Sequence, residues 1–229
     1  MRLDKRIANS TDYSRSEVKK ALRSCDVYVN GVCANSPAQQ VSTDDDIKIF
    51  GNLLRAQGYR YFMLNKPLNC VSANKDHRHP TVLDCIDEDN HQNLHIAGRL
   101  DIDTTGLVLI TDDGQWTHRT ISPIRDCQKC YRVGVNEPVS EEDIKVFAEG
   151  IFLSGEKKCC RPADLKVISD NEVLLTISEG KFHQVKRMFK QRNNRVISLH
   201  RESIGNIALD PALEPGQYRA LTQTEIESI

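Results

Sequence analysis

The stretch that decides the fold of most of this chain is His95-Ile-Ala-Gly-Arg-Leu-Asp-Ile-Asp-Thr-Thr-Gly-Leu-Val-Leu-Ile-Thr-Asp-Asp-Gly114. Residues 107–110 form a continuous apolar run of buried-strand length, and residues 101–106 are turn formers. The stretch therefore predicts a strand, a polar turn and a second strand. Asp101 would lie on a tight loop at the edge of a packed sheet. A carboxylate there has the fixed direction and limited hydration that a nucleophile or general base requires.

The Asp-x-Asp-Thr loop alone permits other interpretations. Its Asp and Thr side chains could simply satisfy backbone N–H groups of the turn. Asp101 and Asp103, with Asp112 and Asp113, could chelate Mg²⁺ in a nucleotide or sugar enzyme. The first two could also be the paired acid and base of a glycosidase. Evidence from the rest of the chain is needed to choose among these alternatives.

Composition and charge distribution indicate a globular protein with a polyanionic partner. The chain has 229 residues, 28% of them charged and 39% hydrophobic, which is enough for two domains. It contains neither a signal peptide nor an apolar run of ~20 residues, so we expect a cytoplasmic protein that does not enter a membrane. The net charge of −1 conceals two basic regions: residues 1–30 hold seven Lys/Arg against four acids, and residues 178–206 hold seven against two. Local basic patches favour phosphate binding, although solvated helix faces have the same composition.

Eight cysteines raise the questions of disulfides and of metal. Cys127-Gln-Lys-Cys130 and Cys159-Cys160 have the composition of a four-thiolate zinc site. Adjacent cysteines rarely both reach one tetrahedral ion, so we expect no metal. In a reducing compartment, four scattered cysteines are interpreted as small buried hydrophobic residues rather than as disulfide partners: Cys25, Cys33, Cys70 and Cys85.

Residues 1–50 predict two basic helices followed by a hairpin. The second helix begins at the capping box Ser14-Arg-Ser-Glu17, and Asn30-Gly31 is a typical hairpin turn. This pattern resembles the S4 RNA-binding domain, which grips structured RNA with its helix pair. A non-catalytic RNA-binding or ribosome assembly protein is therefore a further alternative. The resemblance implies RNA contacts by cations that we expect off the apolar helix faces: Lys5, Arg6, Arg15, Lys19, Lys20 and Arg23.

The remaining chain predicts an α+β fold with a mixed, mostly antiparallel sheet flanked by helices. Its strands include residues 60–67 and 196–199, and one helix beginning near residue 184 has Val185, Met188 and Phe189 directed inward. We predict an S4-like α/β domain and its linker in residues 1–58, and a second, catalytic domain in residues 59–229. The linker is the polar stretch from Gly51 to Arg60, where the next strand begins.

Three stretches together resemble the pseudouridine synthases: Leu64-Asn-Lys-Pro67, residues 98–114, and Glu179-Gly-Lys-Phe-His-Gln-Val-Lys-Arg-Met188. The resemblance implies the pseudouridine synthase fold and the isomerisation of one uridine in 16S rRNA, of the uridine-516 type. The implied partner is 16S rRNA or a small-subunit assembly intermediate, and we expect a monomer. Moving the uracil from its N1–C1′ bond to a C5–C1′ bond needs no redox or metal step, so no cofactor is implied.

The resemblance also implies residue roles. Asp101 matches the catalytic aspartate, Tyr131 the tyrosine that stacks on the target base, and Lys186 the basic residue that pairs with the aspartate. Residues 103–105 match the loop but not the catalytic position and would support it structurally. Asp101 could add to C6 of the ring, attack C1′ or remove a sugar proton. Other motif residues are expected to bind the substrate: Asn65, Arg99, His183, Gln184 and Arg187.

One position departs from the family pattern. The family usually has glycine two residues after the proline of Asn-Lys-Pro, whereas this chain has Asn69. Asparagine tolerates a left-handed backbone better than most residues, so we expect the loop to keep its shape.

Overall fold

The computed structural model describes residues 1–11, 13–42, 44–54, 58–88, 91–122 and 127–229. They form two compact units. The N-terminal unit comprises Met1–Tyr59 with Glu88–Leu94, and the C-terminal unit comprises Arg60–Asp87 with His95–Ile229. The segment Glu88–Leu94, which the sequence analysis assigned to the second domain, packs with the first, where the Asn93 side chain donates to the Ala8 carbonyl at 3.1 Å. None of the described helices is long and apolar enough to cross a membrane.

The N-terminal unit is a helix pair packed on a small antiparallel sheet. The predicted capping box at Ser14 and the turn at Asn30 (φ 49°) and Gly31 (φ 81°) are confirmed. The sheet has the order β2-β1-β3-β4. A strand therefore occupies part of the segment interpreted as a linker, residues 51–60. The elements are α1 (Leu3–Ser10), α2 (Arg15–Arg23), β1 (Val27–Val29), β2 (Val32–Cys33), β3 (Ile47–Ile49) and β4 (Asn52–Leu53), followed later by a 3₁₀ turn (His91–Asn93).

Two predictions for this unit are wrong. Arg6 does not lie off the apolar face of α1, since it is only 7% exposed. Residues three and four positions apart lie on the same face of a helix. Arg6 and Ile7 therefore share the buried face of α1 with Leu3. Cys25 and Cys33 are not separate thiols but are joined by a disulfide, with Cα atoms 5.8 Å apart. The β1–β2 hairpin brings them to a distance that a disulfide can bridge.

The C-terminal unit is built on a nine-stranded sheet with the order β13-β5-β7-β11-β8-β10-β9, in which β6 pairs with β7 and β12 with β11. Of the strand pairs among the described residues, β7 with β11 alone is parallel, so the predicted mixed, mostly antiparallel sheet is confirmed. The strands are β5 (Tyr61–Lys66), β6 (His95–Ala97), β7 (Thr105–Thr111), β8 (Lys129–Val135), β9 (Asp164–Ser169), β10 (Glu172–Ile177), β11 (Val196–Ile204), β12 (Ile207–Ala208) and β13 (Tyr218–Ala220). The helices are α3 (Gly114–Ile121), α4 (Glu141–Glu149), α5 (Gln184–Gln191) and α6 (Gln223–Glu227).

Strand β7 is the centre of this unit. Residues 107–110 are fully buried, as their apolar run predicted. Asp113 ends the strand by accepting backbone N–H groups of the first turn of α3. On α3, Trp116 is also fully buried, and its indole N–H donates to the Ile226 carbonyl at 2.9 Å. The rigid strand therefore fixes the loop that precedes it, which contains Asp101.

Candidate active site

The loop before β7 meets the first turn of α5 at a cluster of charged side chains. The Lys186 ammonium donates to Asp101 Oδ2 at 3.0 Å and to Asp103 Oδ1 at 2.5 Å. On the other side of the same carboxylate, His183 Nε2 lies 3.5 Å from Asp101 Oδ1. Two of the three sequence motifs, about 85 residues apart, are thus joined through Asp101.

Lys186 and Asp103 hold each other in their charged forms. Burial acts to lower the pKa of Lys186, but its hydrogen bonds to Asp103 and Asp101 outweigh burial and raise it. Burial likewise acts to raise the pKa of Asp103, and the contact with Lys186 outweighs it and lowers that pKa. Asp103 therefore supports the site through its contact with the lysine.

A buried lysine from the Asn-Lys-Pro motif supports the loop from below. Lys66 is fully buried, and its ammonium donates to the carbonyls of Thr104 at 2.7 Å and Pro67 at 3.0 Å, with the Ile102 carbonyl at 3.5 Å. Burial lowers the pKa of Lys66. Sequence reasoning missed this residue. The available signal was a lysine at the end of an apolar strand, directly before a proline.

Asn69 takes the conformation that the departure from the family pattern required. Its φ of 60° lies in the left-handed region, which asparagine adopts more readily than most non-glycine residues. The Asn69 N–H donates to the Ile102 carbonyl at 3.0 Å, and the Leu100 N–H donates to Ser72 Oγ at 3.0 Å. The segment after β5 therefore holds both flanks of Asp101.

Arg201 of β11 is a second buried cation that sequence reasoning missed. It is 1% exposed, and its guanidinium donates to the carbonyls of Leu107 and Gly98, both at 2.8 Å. Its central carbon lies 5.9 Å from the ring centroid of Tyr131. Arg201 thus links the start of the loop to the aromatic ring. Nothing in the sequence distinguishes it from the other cations of the basic region 178–206.

Asp101 lies between two lobes of one open cleft. Tyr131 (7% exposed) forms the floor of the inner lobe with Ile177 and Leu199. The outer lobe is lined by Phe182 and by the segment after β5. Both lobes share one wall: Arg99, Asp101, His183 and Lys186.

The structure places some predicted substrate-binding residues elsewhere. Asn65 is buried and its amide donates to the Leu213 carbonyl at 2.7 Å. Successive side chains alternate across a strand, so Lys66 faces the loop and Asn65 faces away. Arg187 donates to Glu156 at 2.9 Å and to the Ser154 carbonyl at 2.7 Å, one helical position away from the face that Lys186 presents to Asp101. Asn65 and Arg187 were predicted to bind the substrate, but neither side chain lines the cleft.

Gln184 lines the inner lobe, but its side chain is engaged in the turn before α5. Its carbonyl oxygen accepts the Lys181 N–H at 2.8 Å, and its amide donates to Glu179 at 3.0 Å. The side chain is 4% exposed. Gln184 therefore shapes the turn that presents His183 and Lys186, and its polar atoms are not directed at the cleft.

The acids required by the metal-enzyme alternative are divided between the two ends of β7. Asp112 accepts the backbone N–H and the guanidinium of Arg60 at 2.8 and 2.9 Å, while Asp113 accepts the Tyr61 hydroxyl at 2.9 Å. Asp101 and Asp103 instead share the Lys186 ammonium. Within the described ranges, no three or more His, Cys, Asp or Glu side chains are arranged to hold a metal ion.

Most strands of the sheet, and the loop aspartate paired to a helix lysine, lie within a region that a protein-family model matches. The family model for RNA pseudouridylate synthase matches residues 60–191, and the model for the S4 domain matches residues 1–47. The chain therefore belongs to the RNA pseudouridylate synthase family, as the resemblance of its motifs implied, and it carries an S4 domain.

Several relatives match this chain over its full length. The chain is 49% identical to ribosomal small subunit pseudouridine synthase A of Haemophilus influenzae over 230 residues, covering 100% of this chain and 99% of the relative. It is 50% identical to the protein of the same name from Escherichia coli K12, over 100% of both chains. A crystal structure of a pseudouridylate synthase, 49% identical, superposes with a TM-score of 0.73 over 100% of this chain and 99% of that one.

Proposed function

We propose that this enzyme isomerises one uridine of 16S rRNA to pseudouridine, that the uridine is of the uridine-516 type, and that Asp101 is the catalytic group. The observation that carries the proposal is the position of the Asp101 carboxylate. It is about one-third exposed, lies on the wall common to both lobes, and is held by a lysine. The full-length relatives are named for the small ribosomal subunit, which supports the substrate.

The chemistry requires an unprotonated carboxylate close to the sugar and ring. The N1–C1′ bond must break, the uracil must turn, a C5–C1′ bond must form, and the C5 proton must leave. Asp101 can serve by adding to C6, by attacking C1′ or by removing a sugar proton, and all three routes use the same position. The Lys186 ammonium at 3.0 Å offsets the cost of desolvating the carboxylate when RNA fills the cleft. No step of the isomerisation requires an electron acceptor or a metal ion.

The inner lobe suits the target base. A base inside structured RNA must leave its stack at a cost of a few kcal/mol. Stacking on an aromatic ring returns roughly 1 to 3 kcal/mol, and Tyr131 lies at the floor of the lobe beside apolar side chains. Because Arg201 lies beneath the loop and close to the Tyr131 ring, the distance between the ring and Asp101 is set before RNA binds.

We assign RNA anchoring to the exposed basic face of α2. Its cations are Arg15, Lys19, Lys20 and Arg23, all exposed, and Lys5 of α1 is half-buried. Replacing Lys19, Lys20 and Arg23 together by alanine should weaken RNA binding and reduce its salt dependence, because each lost phosphate contact removes roughly 0.7 to 0.9 from the slope of log K against log salt. Titrations at several NaCl concentrations measure that slope. An unchanged slope would mean that this face is merely solvated.

The proposed substrate also indicates the setting of the reaction. We propose that the partner is 16S rRNA or a small-subunit assembly intermediate, that the enzyme acts in the cytoplasm where that RNA is made, and that it acts as a monomer. Mapping pseudouridine in 16S rRNA from cells with and without this gene identifies the modified uridine. Loss of a modification at a site other than the uridine-516 type would correct that part of the proposal.

Two substitutions on one loop test the catalytic assignment. Asp101→Asn keeps the size of the side chain but provides neither a nucleophile nor a base, so it should abolish turnover and leave RNA affinity nearly unchanged. Asp103→Asn should retain most activity, because Lys186 still pairs with Asp101. The measurement is tritium release from RNA labelled at uracil C5, with binding followed in parallel. Normal release by Asp101→Asn, or abolition by Asp103→Asn alone, would refute the assignment.

A further inference from the structure

The outer lobe carries an aromatic ring that the proposed chemistry does not use. Phe182 is 76% exposed, the most exposed large apolar side chain among the described residues. One face of its ring stacks on His183, with ring centroids 3.8 Å apart and planes inclined by 20°. Since His183 Nε2 lies 3.5 Å from Asp101, a single imidazole separates this phenyl ring from the proposed catalytic carboxylate.

The backbone that carries Phe182 is held rigidly. The Phe182 carbonyl accepts the Arg187 guanidinium at 2.9 Å, and the Lys181 N–H is bound by Gln184. His183 has a left-handed backbone (φ 47°), and this sharp turn places the two rings face to face. An exposed ring on a fixed backbone, with one face already stacked, presents its other face as a platform at little cost in conformational entropy.

We propose that Phe182 stacks on the base of a nucleotide adjoining the target uridine. This inference rests on the proposed function, because it requires an RNA strand in the cleft. Extruding the target leaves its neighbours without a stacking partner, and an unstacked base is stabilised by an aromatic face of any kind. The two lobes share a wall, and Phe182 lines the outer one. When the target base occupies the inner lobe, the next nucleotide along the strand therefore lies beside Phe182.

The charge of the shared wall agrees with this placement. Arg99 is exposed and lines both lobes. From that position its guanidinium can meet the phosphate that links the two nucleotides. A protein segment placed in the outer lobe would bring no such phosphate to Arg99, so the two-lobed cleft fits a dinucleotide better than a peptide.

The test combines substitutions at Phe182 with changes in the RNA. Three RNA fragments are compared: one intact, one lacking the base on the 5′ side of the target, and one lacking the base on the 3′ side. On intact RNA, Phe182→Ala should lower kcat/KM roughly 5- to 150-fold, the equivalent of one base stacked on an aromatic ring. Phe182→Trp should retain activity. Phe182→Leu, which is apolar but not aromatic, should resemble the alanine variant.

The RNA changes show whether a base is the partner. On one of the two abasic RNAs, the wild type should fall to the level of Phe182→Ala, and the variant should lose nothing more. Which RNA shows this coupling identifies the contacted neighbour. Equal activity of wild type and Phe182→Ala on intact RNA, or the same loss by the variant on all three RNAs, would overturn the proposal.

One control variant and one further measurement separate the possible failures. Phe152→Ala removes another exposed ring, 53% exposed and outside both lobes, and should behave like the wild type. If the wild type released no tritium from intact RNA, the proposed function would fail. The same coupling measured in RNA affinity would then still support stacking by Phe182, and its absence from both activity and affinity would overturn it.

Discussion

Gly106 is the position at which one added methyl group should do the most damage. Its φ is +100°, and a Cβ built there would lie 2.4 Å from the carbonyl oxygen of Arg201 and 2.7 Å from its backbone nitrogen. Ordinary contacts of this kind begin at 3.4 Å. In Gly106→Ala, β7 and β11 would therefore have to separate by about 1 Å at their parallel pairing.

The cost of Gly106→Ala can be approximated from two contributions. A non-glycine residue held in a sparsely populated backbone region costs about 1–3 kcal/mol. Overpacking against backbone atoms that cannot rotate away costs about 1–3 kcal/mol more. The C-terminal unit should thus lose about 2–6 kcal/mol, equivalent to a fall in Tm of roughly 5–20 °C for a unit of this size. Turnover should fall as well, because β7 carries the Asp101 loop.

Gly114→Ala is the matched control at the other end of β7. Gly114 is the first residue of α3, its φ is not positive, and a Cβ there would meet no atom within 4 Å. Its replacement should be neutral or stabilise by up to about 1 kcal/mol. Urea unfolding followed by the fluorescence of Trp116, the one tryptophan of the chain, reports on this unit. A stability of Gly106→Ala within about 1 kcal/mol of Gly114→Ala would refute the reasoning.

Substitutions at three further positions test the residues that support the site and the fold. Lys66→Met removes the donor of the loop carbonyls, so kcat should fall about tenfold or more with a smaller change in RNA Kd; equal losses in single-turnover and binding assays would contradict this. Tyr131→Phe should keep most activity and Tyr131→Leu should lose about 5-fold or more in the same assay, whereas equally severe losses would exclude stacking as the whole role. Hydrogen bonds from Arg219 hold the pKa of Glu225 at about 2, below its usual 4.5, so their stabilisation is complete above pH 4.5 and is lost as the pH falls towards 2. Glu225→Gln should therefore cost about 1–3 kcal/mol at pH 7 and almost nothing near pH 2 in urea unfolding, and a loss independent of pH would contradict that origin.

Local chemistry predicted the elements whose causes are local. The Asn30-Gly31 turn, the Ser14 capping box and the buried run of β7 depend on residues within a few positions of each other. The pairing of Asp101 with Lys186 depends on two segments 85 residues apart. It was expected only through the resemblance to a family, because no periodicity specifies which loop meets which helix.

The sequence showed which residues belong to a motif more reliably than it showed which of their side chains are directed at the site. Asn65 and Arg187 belong to motifs that build the site, yet one strand position and one helix position turn them away from it. Strand β11 was predicted over residues 196–199 only. It continues to Ile204, and Arg201 lies on that continuation with its charge bound to carbonyl groups. A buried cation of this kind has the same sequence appearance as a solvated one.

The use of main-chain carbonyls to hold the Asp101 loop has a genetic consequence. Lys66 and Arg201 bind carbonyl groups that every residue possesses, so the side chains at Ile102 and Arg99 contribute little to these particular bonds. A loop position can then change its side chain without releasing the loop. The reverse does not hold, since no substitution within the loop can supply a lost ammonium or guanidinium. A selection for second-site suppressors of a Lys66 or Arg201 defect should accordingly recover changes outside the loop, in strands that can bring a new donor to the same carbonyls.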